Sequence, residues 1–513
     1  MYELKKITSL NGFDSNDLNN ARQNNYAWSI CELENYIYVG TGKNIPYSLI
    51  KKIAPNSKIP FLINPGHPIN PCAEIWRYKK DGTQNWERVF RAEANSKLVG
   101  FCCMIQDMRN ATPCIYAIAS GDNAPMQILK SVNGVNWFFV QENQLPGSAA
   151  HSMLRHGDYL YIAPVNAFGN KQFPILYRSR DPEFYDWQPV LNPIENKFDF
   201  HANPHSEITN MISFNEKLYA ATKNSDGVEI WRTNSYEPEK NDWVLVADKG
   251  FGDAMNQSSS SLEEFNGSLY VSTVKELPFV WAVPLGCDVI RIDRMDHWEL
   301  VVGGRALFPA ATSKGKRMQS LSGLGSGFNN PFNVYAWQIK EFNHQMIVST
   351  FDDSKNMELI FELLLANKKD LEGLIGLSHT ETILSMYQKI VRILKEVQYS
   401  MGFDFYVSDD GIHFKWVTLR GLCNPNNYGA SALYVDSFND LYLGTANPFQ
   451  GCEVFKADST TYFEGCSVEK LRYEYLSQIE EELERNWDVL SESLLFLFNH
   501  QGLFVKESRK NKF

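Results

Sequence analysis

Leu269-Tyr-Val-Ser-Thr273 is one of seven versions of a single short phrase in this sequence. The others are Ile37–Thr41 (IYVGT), Ile115–Ala119 (IYAIA), Leu160–Pro164 (LYIAP), Leu218–Thr222 (LYAAT), Met346–Thr350 (MIVST) and Leu441–Thr445 (LYLGT). Each is apolar or alternating over its five residues, as a half- or fully-buried strand is. A strand unit that returns about every 50 residues points to a β-propeller or a solenoid.

The surroundings of the phrase choose the propeller. After most copies comes a second apolar strand ending on a basic or polar residue, as in Glu74-Ile-Trp-Arg77, Glu229-Ile-Trp-Arg232 and Asp288-Val-Ile-Arg291. A third opens on an aromatic: Trp86, Trp137, Trp187, Trp243, Trp298, and Phe414 or Trp416. Another apolar run, such as Ala27–Leu33 or Ala336–Phe342, precedes the phrase. Four strands per unit make a propeller blade. The last unit lacks its outer strand after Cys452–Lys456, and Tyr2–Ser9 (YELKKITS) resembles the outer strand Trp298–Val302 (WELVV). The N-terminal segment is therefore expected to close the last blade and protect the ring edge. The predicted fold is all-β: a seven-bladed β-propeller over residues 1–457, with a helical insert in blade six at 356–400 and a C-terminal helix within an extension at 458–513. In the insert, Ile383, Tyr387, Ile390, Leu394 and Val397 share one helical face. In the extension, Leu476, Ile479, Leu483, Leu490, Leu494 and Leu497 form a second stripe. Such faces pack on each other and on the ring, or serve as a lid or as a self-association surface.

Composition excludes some functions. A net charge of −11 disfavours a nucleic-acid binder, since only the tail Lys506–Lys512 is a basic cluster. No apolar run is long enough to span a membrane, and MYELKKITSLNGF has no secretory core. The nine cysteines are scattered without a C-x-x-C pair, which reads as reduced thiols in a cytoplasmic protein and no zinc site. His201 and His205 are spaced for one helical face, but Pro204 argues against a helix there and so against a metal site.

Three lead-in segments share Asn and Tyr: Asn25-Tyr-Ala-Trp28, Asn333-Val-Tyr335-Ala-Trp337 and Asn427-Tyr428-Gly429. Loops entering the innermost strand share a face of the ring with groups leaving the second strand. Tyr26, Tyr335 and Tyr428 are therefore expected around the central funnel, with Trp28, Phe328, Phe332, Trp337, Asp352 and Asp353. Asp353 competes with Asp352 because a one-residue shift at a strand end exchanges their directions. Ser408-Asp-Asp-Gly411 and Ser131-Val-Asn-Gly134, each followed by an aromatic, resemble the Asp-box turns of sialidase-type propellers. They read as folding devices, and no set of three arginines marks a sialidase.

Leu321–Trp337 (LSGLGSGFNNPFNVYAW), Ser349–Asp352 (STFD), Asn424–Gly429 (NPNNYG) and Leu443–Glu453 (LGTANPFQGCE) resemble the propeller of the cyanobacterial cylindrocyclophane-type alkylating enzymes and their bacterial relatives. Those enzymes join secondary alkyl chlorides to resorcinol rings or, in relatives, to carboxylates. The resemblance implies a catalytic Asp352 as general base on a phenol and a catalytic Tyr428 as hydrogen-bond donor to the departing chloride. It implies an apolar or aromatic small molecule as partner, and no cofactor beyond a structural calcium ion. Where many relatives have Gly-aromatic-Arg, this chain reads Gly100-Phe101-Cys102. The alternative is a non-catalytic propeller that binds a protein or a ligand.

Overall fold

The structure, a computed structural model, describes residues 4–53, 68–108, 112–140, 145–166, 172–194, 198–275, 283–468 and 471–499. The tail Lys506–Lys512, the start of the Tyr2–Ser9 segment and the side chains of Leu494 and Leu497 lie outside what is described.

Strands pair antiparallel in groups of four, the arrangement of a propeller-type fold. Three groups are separate sheets, within Met153–Leu191, Glu207–Ala247 and Asn256–Val302. The rest form one seventeen-stranded sheet, because single bridges join neighbouring groups: Tyr26 to Ala446, Gly42 to Gly100 and Phe351 to Gly429. The repeated phrase is the second strand of each group; in the sixth, Gln345–Asp352 pairs with Asn333–Phe342 on one side and Phe405–Ser408 on the other. The chain also closes as expected. Lys5 and Lys6 pair with Lys456 and Phe455, so the N-terminal segment supplies the outer strand of the last group.

The Asp-box-like turns hold the units together. The Asp410 carboxylate accepts the N–H groups of Ile412 and His413, each at 2.8 Å, and the Gly411 N–H donates to Ser408 Oγ. Gly411 has φ +76°, and a Cβ there would lie 2.1 Å from the Tyr270 hydroxyl of the preceding unit. Gly134 stands against Tyr38 in the same way. Both turns thus lock adjacent sheets.

The insert is three helices, Ser354–Ala366, Lys368–Ile375 and Leu377–Glu396. Ile383, Tyr387, Ile390 and Leu394 are buried along one face, as their spacing requires. The C-terminal extension differs from the single helix expected: it forms Leu471–Arg485 and Trp487–Asn499, broken at Asn486, whose side chain turns back to bond Glu482. Both additions meet on the ring. Leu476, Ile479, Leu483 and Leu490 share a core with the insert and with Tyr26, Phe332, Tyr335, Phe351 and Tyr428. The Lys389–Glu482 ion pair, 2.9 Å, links them at the surface. The extension also adds a short strand, Cys466–Ser467, to the outer edge of the sixth group. Among the described residues no helix is long and apolar enough to cross a membrane.

Candidate functional site

A recurring buried polar cluster underlies the site. In four units a glycine and an apolar residue, both at positive φ, precede an asparagine: Gly12-Phe13 and Asn24, Gly250-Phe251 and Asn256, Gly327-Phe328 and Asn333, Gly421-Leu422 and Asn427. Each asparagine Nδ2 donates to its glycine carbonyl, at 2.8, 3.0, 3.0 and 3.0 Å in that order. Each also donates to the carboxylate that opens the third strand: Glu74, Asp288, Asp404 and Glu453, at 2.6–3.1 Å. The threonine ending the repeated phrase fastens the backbone of that acid, as Thr273 does with Asp288 and Thr350 with Asp404. The tying amide of the first unit is thus Asn24, one residue before the Asn25 that the sequence pattern singled out.

This geometry corrects one site residue. Phe328 does not face the funnel. Its left-handed backbone turns it between sheets, where it stacks on Tyr406 at 4.3 Å and meets Phe414 at 5.1 Å. Phe251 in the preceding unit makes the same turn and packs on Trp298. Phe328 is a structural wedge.

Two residues past the threonine the units diverge. Lys43 and Lys275 occupy this place in the first and fifth units, Asn447 in the last and Asp352 in the sixth. Lys275, 2% exposed, bonds Asp253 at 3.2 Å and Asn256 at 3.1 Å. Lys43 bonds Asn20 at 2.6 Å and lies 3.4 Å from Glu74. Arg317 adds a second cation in the fifth unit and Arg88 in the first, while Lys6 neutralises Glu453 in the last. Asp352 reverses the charge at this place and has no ion-pair partner among the described residues. Its Oδ1 accepts the Ser354 N–H at 2.9 Å, at the start of the first insert helix. Its Oδ2 accepts the Tyr399 hydroxyl at 2.5 Å. Burial, helped by neighbouring Asp404, pushes its carboxyl up to about 6, while the Ser354 and Tyr399 bonds hold it back. Asp353 is also fully buried, and neither carboxyl oxygen has a hydrogen-bond partner among the described residues. Burial, then Asp352, drives its pKa well up.

The aromatics form a continuous wall. Tyr26 contacts Trp28, Trp337 and Tyr428 edge-on at 5.7–6.2 Å between centroids. Tyr335 joins Trp337 to Phe351, and Phe351 meets Tyr428 at 4.6 Å. Trp28 lies on Gly100 and Trp337 on Gly429, where any Cβ would collide with the indole. The Tyr26 and Tyr428 hydroxyls bond each other, and burial raises the pKa of both. Two protonated hydroxyls in one bond leave one O–H to donate. Asp352 and Tyr428 are joined through backbone, Asp352 N–H to Tyr428 C=O at 2.8 Å, while their side chains have different partners. Phe332 closes the Asp352 side, packing on Tyr399 at 5.5 Å.

Tyr399 and Asn330 escaped the sequence reading. Tyr399 lies past the apolar stripe of the insert, in coil, where periodicity is silent. Lining up the residues two past each threonine would have exposed Asp352 as the odd one. His205 bonds Glu229 and the Phe200 carbonyl, which fixes it within its own unit. Among the described residues no three His, Cys, Asp or Glu side chains are grouped to hold a metal ion.

A scan against protein-family models finds no match, and neither does a search of curated proteins. Among solved structures the chain is similar to a puromycin-hydrolyzing peptidase of Mycobacterium tuberculosis, at 10% identity and a TM-score of 0.43, covering 89% of this chain and 56% of that one. It is similar to a puromycin hydrolase at 10% identity and 0.45, covering 90% and 57%. A subtype N10 neuraminidase-like protein of A/little yellow-shouldered bat/Guatemala/060/2010 matches at 11% identity and 0.31, over 70% and 98%. The chain thus spans less than two thirds of the two hydrolases' length. These likenesses are too distant to bear on function, and the propeller-type fold rests on the strand pairing described above.

Proposed function

We propose that this chain is a seven-bladed propeller enzyme that alkylates a phenol ring with a secondary alkyl chloride, at the mouth of the ring beneath the insert. The observation that carries the reading is the charge reversal at Asp352. Its counterparts hold buried clusters together as lysine or asparagine; a carboxylate with a pKa of about 6 is poorly suited to that work and well suited to proton transfer near neutral pH. Asp352 takes the phenolic proton, and electron density moves to a ring carbon. That carbon forms a bond to the secondary alkyl carbon as the C–Cl bond breaks. Chloride leaves with its charge met by the free O–H of the Tyr26–Tyr428 pair. The ring then loses its C–H proton to water and its oxygen takes the proton back from Asp352, so the alkylated phenol and HCl are released overall. Trp28, Phe332, Tyr335 and Trp337 supply apolar surface for the ring or the alkyl chain.

Incubation with resorcinol and a secondary alkyl chloride, followed by mass spectrometry, tests this. Wild type should yield the coupled product. Asp352→Asn should lower its rate by about 10²–10⁴ and Tyr428→Phe by about ten-fold or more. Full activity in both variants would remove these roles. A second reading, a non-catalytic binding propeller, is favoured by the insert's packing over the funnel aromatics. It predicts no product from any variant.

A further inference from the structure

Tyr399 follows the last insert helix at a turn where Gln398 adopts φ +50° and the Tyr399 N–H caps the Leu394 carbonyl at 2.9 Å. That turn sends its phenol back to the ring. The hydroxyl donates to Asp352 Oδ2 at 2.5 Å and accepts from Asn330 Nδ2 at 2.8 Å, and the half-buried ring lies against Phe332. Asn330 stands three residues before Asn333, as Asp253 stands three before Asn256. The phenol hydroxyl of Tyr399 therefore bonds the counterpart of the residue that Lys275 bonds in the fifth unit. In the sister units the chain fills this place from its own second strand. In the sixth the strand offers a carboxylate, and the filling group arrives from the insert. The insert leaves the strand at Ser354, one residue past Asp353, and returns at Tyr399, so both its ends meet at this carboxylate.

We propose that Asp352, Asn330 and Phe332 form a binding site for a phenol, and that Tyr399 is its resident occupant, which an external phenol displaces. The site has a proton acceptor, an amide donor to the phenol oxygen and an aromatic wall, and one phenol already satisfies all three. The inference rests on Asp352 as the group that receives a phenolic proton, and it makes the insert self-inhibiting. An occupant that holds the site nine-tenths of the time weakens an external ligand about ten-fold.

The test is calorimetric titration of the full chain with phenol itself, and with toluene as the hydroxyl-free probe. Tyr399→Ala should bind phenol about ten-fold tighter than wild type. The gain should vanish in Tyr399→Ala/Asp352→Asn, and toluene should not reproduce it. Equal phenol affinity in wild type and Tyr399→Ala would overturn the proposal, as would an equal gain for toluene. Should Tyr399→Ala not fold, Tyr399→Phe makes the same comparison: it keeps the ring on Phe332 and loses only the hydroxyl's hold. Tighter phenol binding than wild type supports the proposal, and unchanged binding overturns it. Product assays separate this from the catalytic reading. A hydroxyl-specific gain with no coupled product from any variant keeps the site and removes the enzyme; product from wild type with no gain in binding does the reverse.

Discussion

The fifth and sixth units use one scaffold for two electrostatic outcomes. Both have the glycine–phenylalanine turn, the tying asparagine, the threonine and the third-strand acid. In the fifth, Lys275 and Arg317 face Asp253 and Asp288, so a buried and a part-buried cation answer two buried acids. In the sixth, Asp352 stands where Lys275 does, answered among the described residues by the Ser354 N–H and the Tyr399 hydroxyl. The first is a clasp whose charges cancel. The second keeps a carboxyl near its titration point, and burial makes it cost stability at neutral pH. A fold that repeats its clasp elsewhere can give one copy up to chemistry.

The largest expected effect breaks the clasp. Lys275→Met leaves Asp253 and Asp288 buried with one cation fewer and should cost about 3–5 kcal/mol in urea unfolding. Asp352→Asn, at the corresponding place, should cost less than about 1 kcal/mol at pH 7.5 or be stabilising, since it removes a carboxylate that burial penalises. Comparable losses in the two variants would mean that Asp352 is structural after all.

The pH dependence sharpens the contrast through its sign. Asp352 is raised from 3.8 to about 6 by burial, so the folded state holds its proton more tightly than the unfolded chain does. Its penalty is absent below about pH 4, grows as pH rises towards 6 and is complete above, at about 3 kcal/mol. Burial also disfavours the charged Asp288, but Lys275 and Arg317 overcome it and hold the carboxyl at about 2. Its contribution, about 2 kcal/mol, is present above pH 4 and lost as pH falls towards 2. Unfolding free energies of Asp352→Asn and Asp288→Asn should therefore diverge from wild type in opposite directions above pH 6. The two curves moving together would refute the distinction.

Between these lies the packing of the insert. Ile390 is fully buried in the core shared by ring, insert and extension, and Ile390→Ala should cost about 2–5 kcal/mol. Lys389→Ala, which removes the half-exposed pair with Glu482, should cost under about 1 kcal/mol.

Local pattern made the strands legible. The repeated phrase, the aromatic outer strands and the closing N-terminal segment follow from alternation and from the missing strand of the last unit. That Tyr26, Tyr335 and Tyr428 fall in one aromatic cluster was legible from their shared Asn-Tyr lead-in segments. Phe328 was misplaced because positive φ at two successive residues leaves no trace in hydropathy, and the repeat Gly12-Phe13, Gly250-Phe251, Gly327-Phe328 shows only when the units are aligned. Several phrases behind the family resemblance, GFNNPFN and NPNNYG among them, turn out to build the polar clasp. They therefore speak for the scaffold more than for the reaction. Tyr399 was illegible because it acts across 47 residues of chain, from a coil position with no pattern of its own.

The smallest expected effect concerns the turn that aims Tyr399. Gln398 holds φ +50° without being glycine, a conformation that costs a residue with a side chain about 1 kcal/mol. Gln398→Gly removes that strain but also loosens the unfolded chain, and the two nearly cancel, so thermal stability should shift by less than about 1 kcal/mol. What should change is the hold on Tyr399, because glycine allows the turn to open in directions that glutamine forbids. Phenol affinity should then rise modestly, between wild type and Tyr399→Ala. Tighter binding in Gln398→Gly than in Tyr399→Ala would show that the turn, and not the tyrosine hydroxyl, separates the sixth unit from the fifth.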